Sequence, residues 1–397
     1  MRRQRSVIWR RRIVALATVL VLGAGVLVLA MSADGARGPH AASAPLPASS
    51  LDAYNPAPIS ARLTPRQLAG ERVIYSYPGL TPPASLIRAI RAGQAGGVVF
   101  FSQNISSRSQ LKAVAAQLQV AARRSPVKLP LLLMTDQEGG LVRRLPGAPI
   151  YSEKQIGQLS DAAAAARRAG RGAGLNLRGA GLNLNLSPVL DVYRQAGNFI
   201  DQYGRSYGSN PHLVSALGAA FITKQQQAGV AATAKHFPGL GAAGRSQNTD
   251  AGRVTLSTPL SQIRDIDELP YRAAISAHLD LVMVSWARYQ ALDSARPAGL
   301  SAKVVLGELR GRLRFRGVTI TDALEAGALK GFGGTAERAY LAAGAGMDLI
   351  LCAGKSPSQG AAAVKALTNA LTSRHLGRQA FLASVDRILS LRHSLAP

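Results

Sequence analysis

Cysteine is nearly missing from this chain of 397 residues: Cys352 is the only one. An intramolecular disulfide is therefore ruled out, no CxxC metal site exists, and no cysteine beside the N-terminal apolar run is available for lipidation. Cys352 follows Leu349-Ile350-Leu351, a setting that predicts a buried structural thiol and not a nucleophile. Clustered His, Cys and Asp ligands are lacking as well, so neither a metal nor a cofactor is expected. Neither GxGxxG nor a P-loop follows the first apolar run, which argues against a nucleotide site. Acidic residues are scarce, 21 against 47 Lys+Arg, giving a formal charge of +26.

Such an imbalance points to an anionic partner. Six arginines (Arg2, Arg3, Arg5, Arg10, Arg11 and Arg12) precede the first apolar run, leaving +20 of the +26 on the remainder. Nucleic acid is not the expected partner, because no helix-turn-helix, zinc-finger spacing or aromatic RNA-binding signature occurs and the basic residues are scattered. An anionic cell-wall polymer or lipid surface suits an exported protein better. The competing reading is a compositional bias towards Arg that leaves a basic, solvated surface. The 47% hydrophobic and 17% charged fractions are those of a globular protein.

Residues 13–31, IVALATVLVLGAGVLVLAM, carry no charge. Nineteen residues of helix span about 28 Å, close to the thickness of a bilayer's hydrocarbon core. That exceeds a usual signal-peptide core, so residues 1–31 read as an uncleaved signal anchor or, alternatively, a signal peptide cut after Ala33 or within Ala41–Ala44. The flanking arginines should stay cytoplasmic, which places the rest of the chain outside, membrane-anchored or secreted. Residues 32–60, rich in Ala, Ser and Pro, read as a disordered tether.

From residue 61 to 397 the pattern changes to short aliphatic runs separated by helical stretches. Eight runs occur: 72–76, 97–101, 131–135, 182–186, 230–234, 279–284, 318–321 and 347–351. Helix-forming segments such as 107–124, 161–178 and 211–227 lie between them. Strand alternating with helix means a parallel sheet, and eight repeats predict a closed (β/α)8 TIM-type barrel, a single α/β domain. An exact repeat of RGAGLNL, at 171–177 and 178–184, spans a helix-like and a strand-like segment and is a coincidence.

Active sites of such barrels lie where the strands end. Here the ends carry Asp136-Gln137-Glu138, Asn185 and Asp191, Lys235-His236, and Thr321-Asp322. One such Asp alone reads equally well as a helix cap; polar groups ending four strands read as a site. A carboxylate-lined pocket with Lys and His suits a neutral, hydroxyl-rich ligand and an oxocarbenium-like transition state.

The blocks DQEGG at 136–140, NLNLSPVLDV at 183–192, GRSYG at 204–208, KHFPG at 235–239 and ITDALEAGAL at 320–329 occur in this order. Together they resemble the glycoside hydrolase family 3 barrel domain, closest to the single-domain bacterial β-N-acetylhexosaminidases. The resemblance implies a retaining mechanism with Asp322 as nucleophile, and sugar contacts from Asp136, Arg205, Lys235 and His236. Glu138 and Asp191 read as supporting carboxylates. The implied substrate is a terminal β-linked N-acetylhexosaminyl or hexosyl residue of a cell-wall glycan.

Retention also needs an acid/base. In the resembled subfamily this is a His in an Asp-x-His motif after KHFPG; here Asp250 fits the Asp, but Gly252 stands at the His position. Leu240 and Trp286 replace two further usual histidines. No second domain that could lend an acid is expected. Three readings follow: a glycosidase in which Asp250, on a mobile Gly-rich loop, is the acid/base; a carbohydrate-binding relative without turnover; or a basic cell-envelope scaffold module.

Overall fold

A computed structural model describes Asn55 and residues 57–396. The segments read as signal or anchor (1–31) and most of the tether lie outside the described residues. Among the described residues, no helix is long and apolar enough to cross a membrane. A short helix, Ala57–Ser60, precedes the first barrel unit.

All eight expected strands form: β1 Val73–Tyr75, β2 Gly97–Val99, β3 Leu132–Thr135, β4 Leu184–Asn185, β5 Ala231–Phe237, β6 Leu281–Val284, β7 Val318–Thr321 and β8 Ile350–Leu351. Each is parallel to its neighbours, in the order β7-β6-β5-β4-β3-β2-β1-β8. An isolated parallel bridge between Ile320 and Leu349 joins β7 to β8, and hydrogen bonds from Leu349 N to Thr319 O, Thr321 N to Leu349 O and Leu324 N to Leu351 O cross the same seam, so the barrel closes there through a short pairing and not a full ladder. Helices Arg108–Arg123, Ala162–Gly179 and Pro211–Gln227 fall within a residue or two of the expected spans.

The strands are buried on both faces, as parallel strands sheathed by helices must be. Side-chain alternation still sorts them. Ile74, Val99, Leu132, Met134, Leu184, Ala231, Leu281, Met283, Val318, Ile320, Leu349 and Leu351 pack together inside the barrel. Their neighbours Val73, Tyr75, Val98, Leu133, Val282, Val284 and Ile350 pack outward in the core shared with the helices. Cys352 is buried in that outer core, as the sequence suggests.

The same two-residue period places the site. Asp136 continues the inward series Leu132–Met134, Lys235 continues Ala231–Thr233, and Asp322 continues Val318–Ile320. Three charged side chains therefore reach the barrel mouth by parity alone.

Candidate active site

The mouth of the barrel holds a cleft of about 360 Å³, within the range of small-ligand pockets. Its floor is the inward row Val99, Phe101, Leu186, Met283 and Leu351; its polar wall is Asp136, Arg144, Arg205, Lys235, His236, Asp250 and Asp322. Seven of the eight sequence-expected site residues thus either line the cleft or, like Glu138, stand directly behind it, and Asp191 lies one layer deeper.

Lys235 is at the centre of the charge network. Its ammonium donates to Asp136 Oδ1 at 2.8 Å and pairs with Glu138 Oε1 at 2.7 Å. Burial opposes its charge, but Asp136 and Glu138 outweigh that cost and raise the Lys235 pKa above the ordinary value. Arg205 grips Glu138 with both arms of its fork, Nε to Oε2 at 3.0 Å and Nη2 to Oε1 at 2.9 Å. Burial alone would raise Glu138; the two cations reverse this and bring it down to about 2. Glu138 is consequently a fixed anion that orients two cations.

His236 is oriented from behind. Its Nδ1 lies 2.7 Å from Asp191 Oδ2, and Asp191 Oδ1 accepts from the backbone N–H groups of His236 (3.3 Å) and Leu240 (2.6 Å). A carboxylate at Nδ1 fixes the proton there, so Nε2 faces forward as an acceptor, 3.4 Å from Arg205 Nη2. Leu240, one of the positions where a histidine is usual, therefore serves this network through its backbone and the cleft through its side chain.

Asp322 ends β7 and its Oδ1 accepts from the N–H of Ala323 at 2.7 Å. No helix begins at Ala323; the next regular turn is Gly327–Leu329, so the capping alternative has no helix to cap. Trp286 is buried and its Nε1 donates to Ala323 O at 2.9 Å, bracing the backbone beside Asp322.

Asp250 stands at the rim. Its loop, expected to be mobile, is docked: Gly327 N donates to Asp250 O (2.8 Å) and Ala328 N to Thr249 O (2.9 Å). Gly327 permits the contact, since a Cβ there would meet Ala251 O at 2.4 Å. The surrounding wall partly desolvates the otherwise exposed Asp250, and with the negative charge of Asp322 this pushes its carboxyl up to about 6, against the opposing pull of His236 and Arg205. No ion pair holds the Asp250 side chain among the described residues. Nothing approaches within 4 Å of a Cβ placed on Gly252, so the space a histidine would enter is open.

Two groups were not foreseen. Arg144 lies in the cleft wall with Nε 3.8 Å from Asp136 Oδ2. Glu153, on a helix outside the motifs, is buried and accepts from Val189 N at 2.9 Å; burial and the charge of Glu138 raise its pKa well above the carboxylate range. The DQEGG loop that carries Asp136 is pinned by Gln137, whose amide bonds Leu145 and Ala148 and whose backbone N–H reaches Asn185. Gly139 has φ +113°, and a Cβ there would meet Tyr151 O at 2.2 Å, so only glycine fits.

Sequence comparison identifies residues 76–391 as matching the Glycosyl hydrolase family 3 N terminal domain. A secreted glycosyl hydrolase of Arthroderma benhamiae is 47% identical over 330 residues, 83% of this chain and 93% of that one. A beta-hexosaminidase of Xanthomonas oryzae pv. oryzae is 34% identical over 64% of this chain and 75% of its own. Among solved structures, the β-N-acetylglucosaminidase of Paenibacillus sp. superposes with a TM-score of 0.79 at 34% identity, covering 84% of this chain and 63% of that longer one. The β-N-acetylhexosaminidase of Beutenbergia cavernae gives 0.75 at 29% identity, covering 84% and 99%.

Proposed function

Because the chain belongs to glycoside hydrolase family 3, we propose that it is an exported, retaining glycosidase that removes terminal β-linked N-acetylhexosaminyl residues from glycans, cell-wall glycans foremost. The observation that carries this is the cleft itself: Asp322 and Asp250 line one compact pocket together with Asp136, Arg144, Arg205, Lys235 and His236. A pocket of this size at the closed mouth of a barrel suits one terminal ring. Asp136, Lys235, Arg205 and His236 offer a dense set of donors and acceptors to ring hydroxyls, and the exposed Tyr203, packed edge-on with Phe199 at 6.1 Å, offers a surface for the rest of the glycan.

In this reading the Asp322 carboxylate attacks the anomeric carbon and the bond to the leaving oxygen breaks, forming a glycosyl ester. Asp250, with a pKa near 6, gives its proton to that oxygen. Esterification deletes the charge on Asp322, one of the forces that holds Asp250 up, so Asp250 becomes the stronger acid and is left ionised, ready to take a proton from the attacking water. Export is supported by the basic, apolar N-terminal segment and by the secreted relative.

The open space at Gly252 favours a second reading, a sugar-binding protein of the same fold without turnover. Assaying the purified protein on aryl β-N-acetylglucosaminide and aryl β-glucoside separates the two. Hydrolysis of the amino sugar, lost in Asp322→Asn, supports the enzyme; sugar affinity with no turnover on either substrate sinks it.

A further inference from the structure

At the opposite end of the barrel, where the strands begin, two arginines share one carboxylate and a third holds the main chain beside it. Asp348, fully buried ahead of β8, accepts from Arg310 Nη2 (2.5 Å), Arg387 Nη2 (2.7 Å), and the backbone and hydroxyl of Thr319 (2.9 and 3.1 Å). Arg72, just before β1, is only 2% exposed, yet among the described residues its guanidinium bonds only main-chain carbonyls, Asp348 O at 3.1 Å and Met347 O at 2.5 Å. It lies 4.2 Å over the ring of Phe381. Burial brings Arg72 down to about 10, with Asp348 offsetting part of the shift and Arg387 adding to it. The Nε of Arg310 is buried with no hydrogen-bond partner among the described residues. Three cations against one anion leave two positive charges unbalanced, with Arg72 buried, the Arg310 side chain 14% exposed and that of Arg387 29% exposed, an arrangement that costs most at Arg72.

All three arginines line one cavity of about 380 Å³, together with His375, Ser384 and the start of the helix Arg378–Ser394. That helix is capped by Gly377, which supplies no side-chain hydrogen bond, so its leading N–H donors remain open and its dipole favours an anion there. We propose that this cavity binds a phosphate-class dianion, at a site separate from the sugar cleft. Two negative charges match the two unbalanced positive ones, and tetrahedral oxygens match the guanidinium forks. Inorganic phosphate and the phosphomonoester end of an envelope polymer present the same chemistry. A purely structural role, tying the starts of β1, β7 and β8 together, would need only the bonds to Asp348 and to the main chain. It does not account for the excess charge.

Calorimetric titration of the full-length protein with inorganic phosphate, and in parallel with glycerol phosphate, tests this. One phosphate should bind per chain, more weakly as salt rises. Arg387→Gln should weaken binding by about tenfold or more, since it removes a charge-assisted bond. Ala380→Asp places a carboxylate in the first helical turn, where the dipole stabilises it. That variant should melt no lower than the parent protein yet lose phosphate binding. Asp136→Asn, in the sugar cleft, should bind phosphate unchanged. If glycerol phosphate binds too, the site accepts polymer ends; if phosphate alone binds, free phosphate is its occupant. No binding heat from either ligand, or phosphate binding that survives both Arg387→Gln and Ala380→Asp, overturns the proposal.

Discussion

Asp250 and Asp322 wall the same cleft, and the charge of Asp322 is second only to desolvation among the forces that push Asp250 up to about 6. The two residues come from different loops, one after β5 and the other at the end of β7, and the Gly327 contact ties these loops together. The proposed proton donor and nucleophile are thereby set in one frame, with Gly252 where the resembled subfamily has its histidine.

The first consequence concerns pH. The donor must be protonated to expel the leaving group, so kcat/KM on a disaccharide should fall as pH rises through about 6. Asp250→Asn should remove this alkaline limb. A limb unchanged in the variant would assign the proton to another group.

Leaving-group dependence gives a second check. Removing a general acid costs about 10²–10⁴-fold where protonation matters. Asp250→Asn should therefore lose most on alkyl glycosides and disaccharides, and far less on nitrophenyl glycosides, whose leaving group needs little help. Equal losses on both would mark Asp250 as structural.

Gly252→His supplies the missing side chain to a position with open space and no positive φ. If the geometry of the loop is otherwise that of a working enzyme, turnover on poor leaving groups should rise, by up to about 10²-fold. Rates on nitrophenyl glycosides should change little. A variant slower than the parent on every substrate would show that Asp250 has taken over in a way the histidine obstructs.

Glu138→Gln tests the charge network. Leaving Arg205 and Lys235 without their buried partner should cost about 3–5 kcal/mol in urea melts at neutral pH. The folded Glu138 has a pKa near 2, below the unfolded value of about 4.3. Its stabilisation is therefore complete above the unfolded pKa and is lost as pH falls towards 2. The gap between parent and variant should narrow on acidification across that window; a gap constant with pH would mean that packing, not charge, is lost.

Much of this site was legible in the sequence because strands impose a period of two. Asp136 and Asp322 each extend an apolar inward series, and Lys235 falls at the same alternation after Ala231 and Thr233, so their direction follows once the strands are recognised. Asp250 was legible only by its place in a loop motif; its docking to Gly327 depends on a close approach between distant segments that no local pattern encodes. Glu153 was hidden for the same reason: it sits on a helix outside every motif and reaches Val189 across 36 residues. Arg144 was one of two adjacent arginines with nothing in the sequence to separate them. The arginine cavity at the barrel base escaped because Arg72 and Asp348 are 276 residues apart and meet only through barrel closure.

The most direct measurement is peptide mapping of protein reacted with a slow 5-fluoro-N-acetylglucosaminyl fluoride, which traps a glycosyl-enzyme. The expected result is one hexosaminyl adduct per chain on the peptide containing Asp322, absent in Asp322→Asn. An adduct on another residue, or steady turnover by Asp322→Asn with no adduct at all, would contradict Asp322 as the nucleophile of a retaining glycosidase.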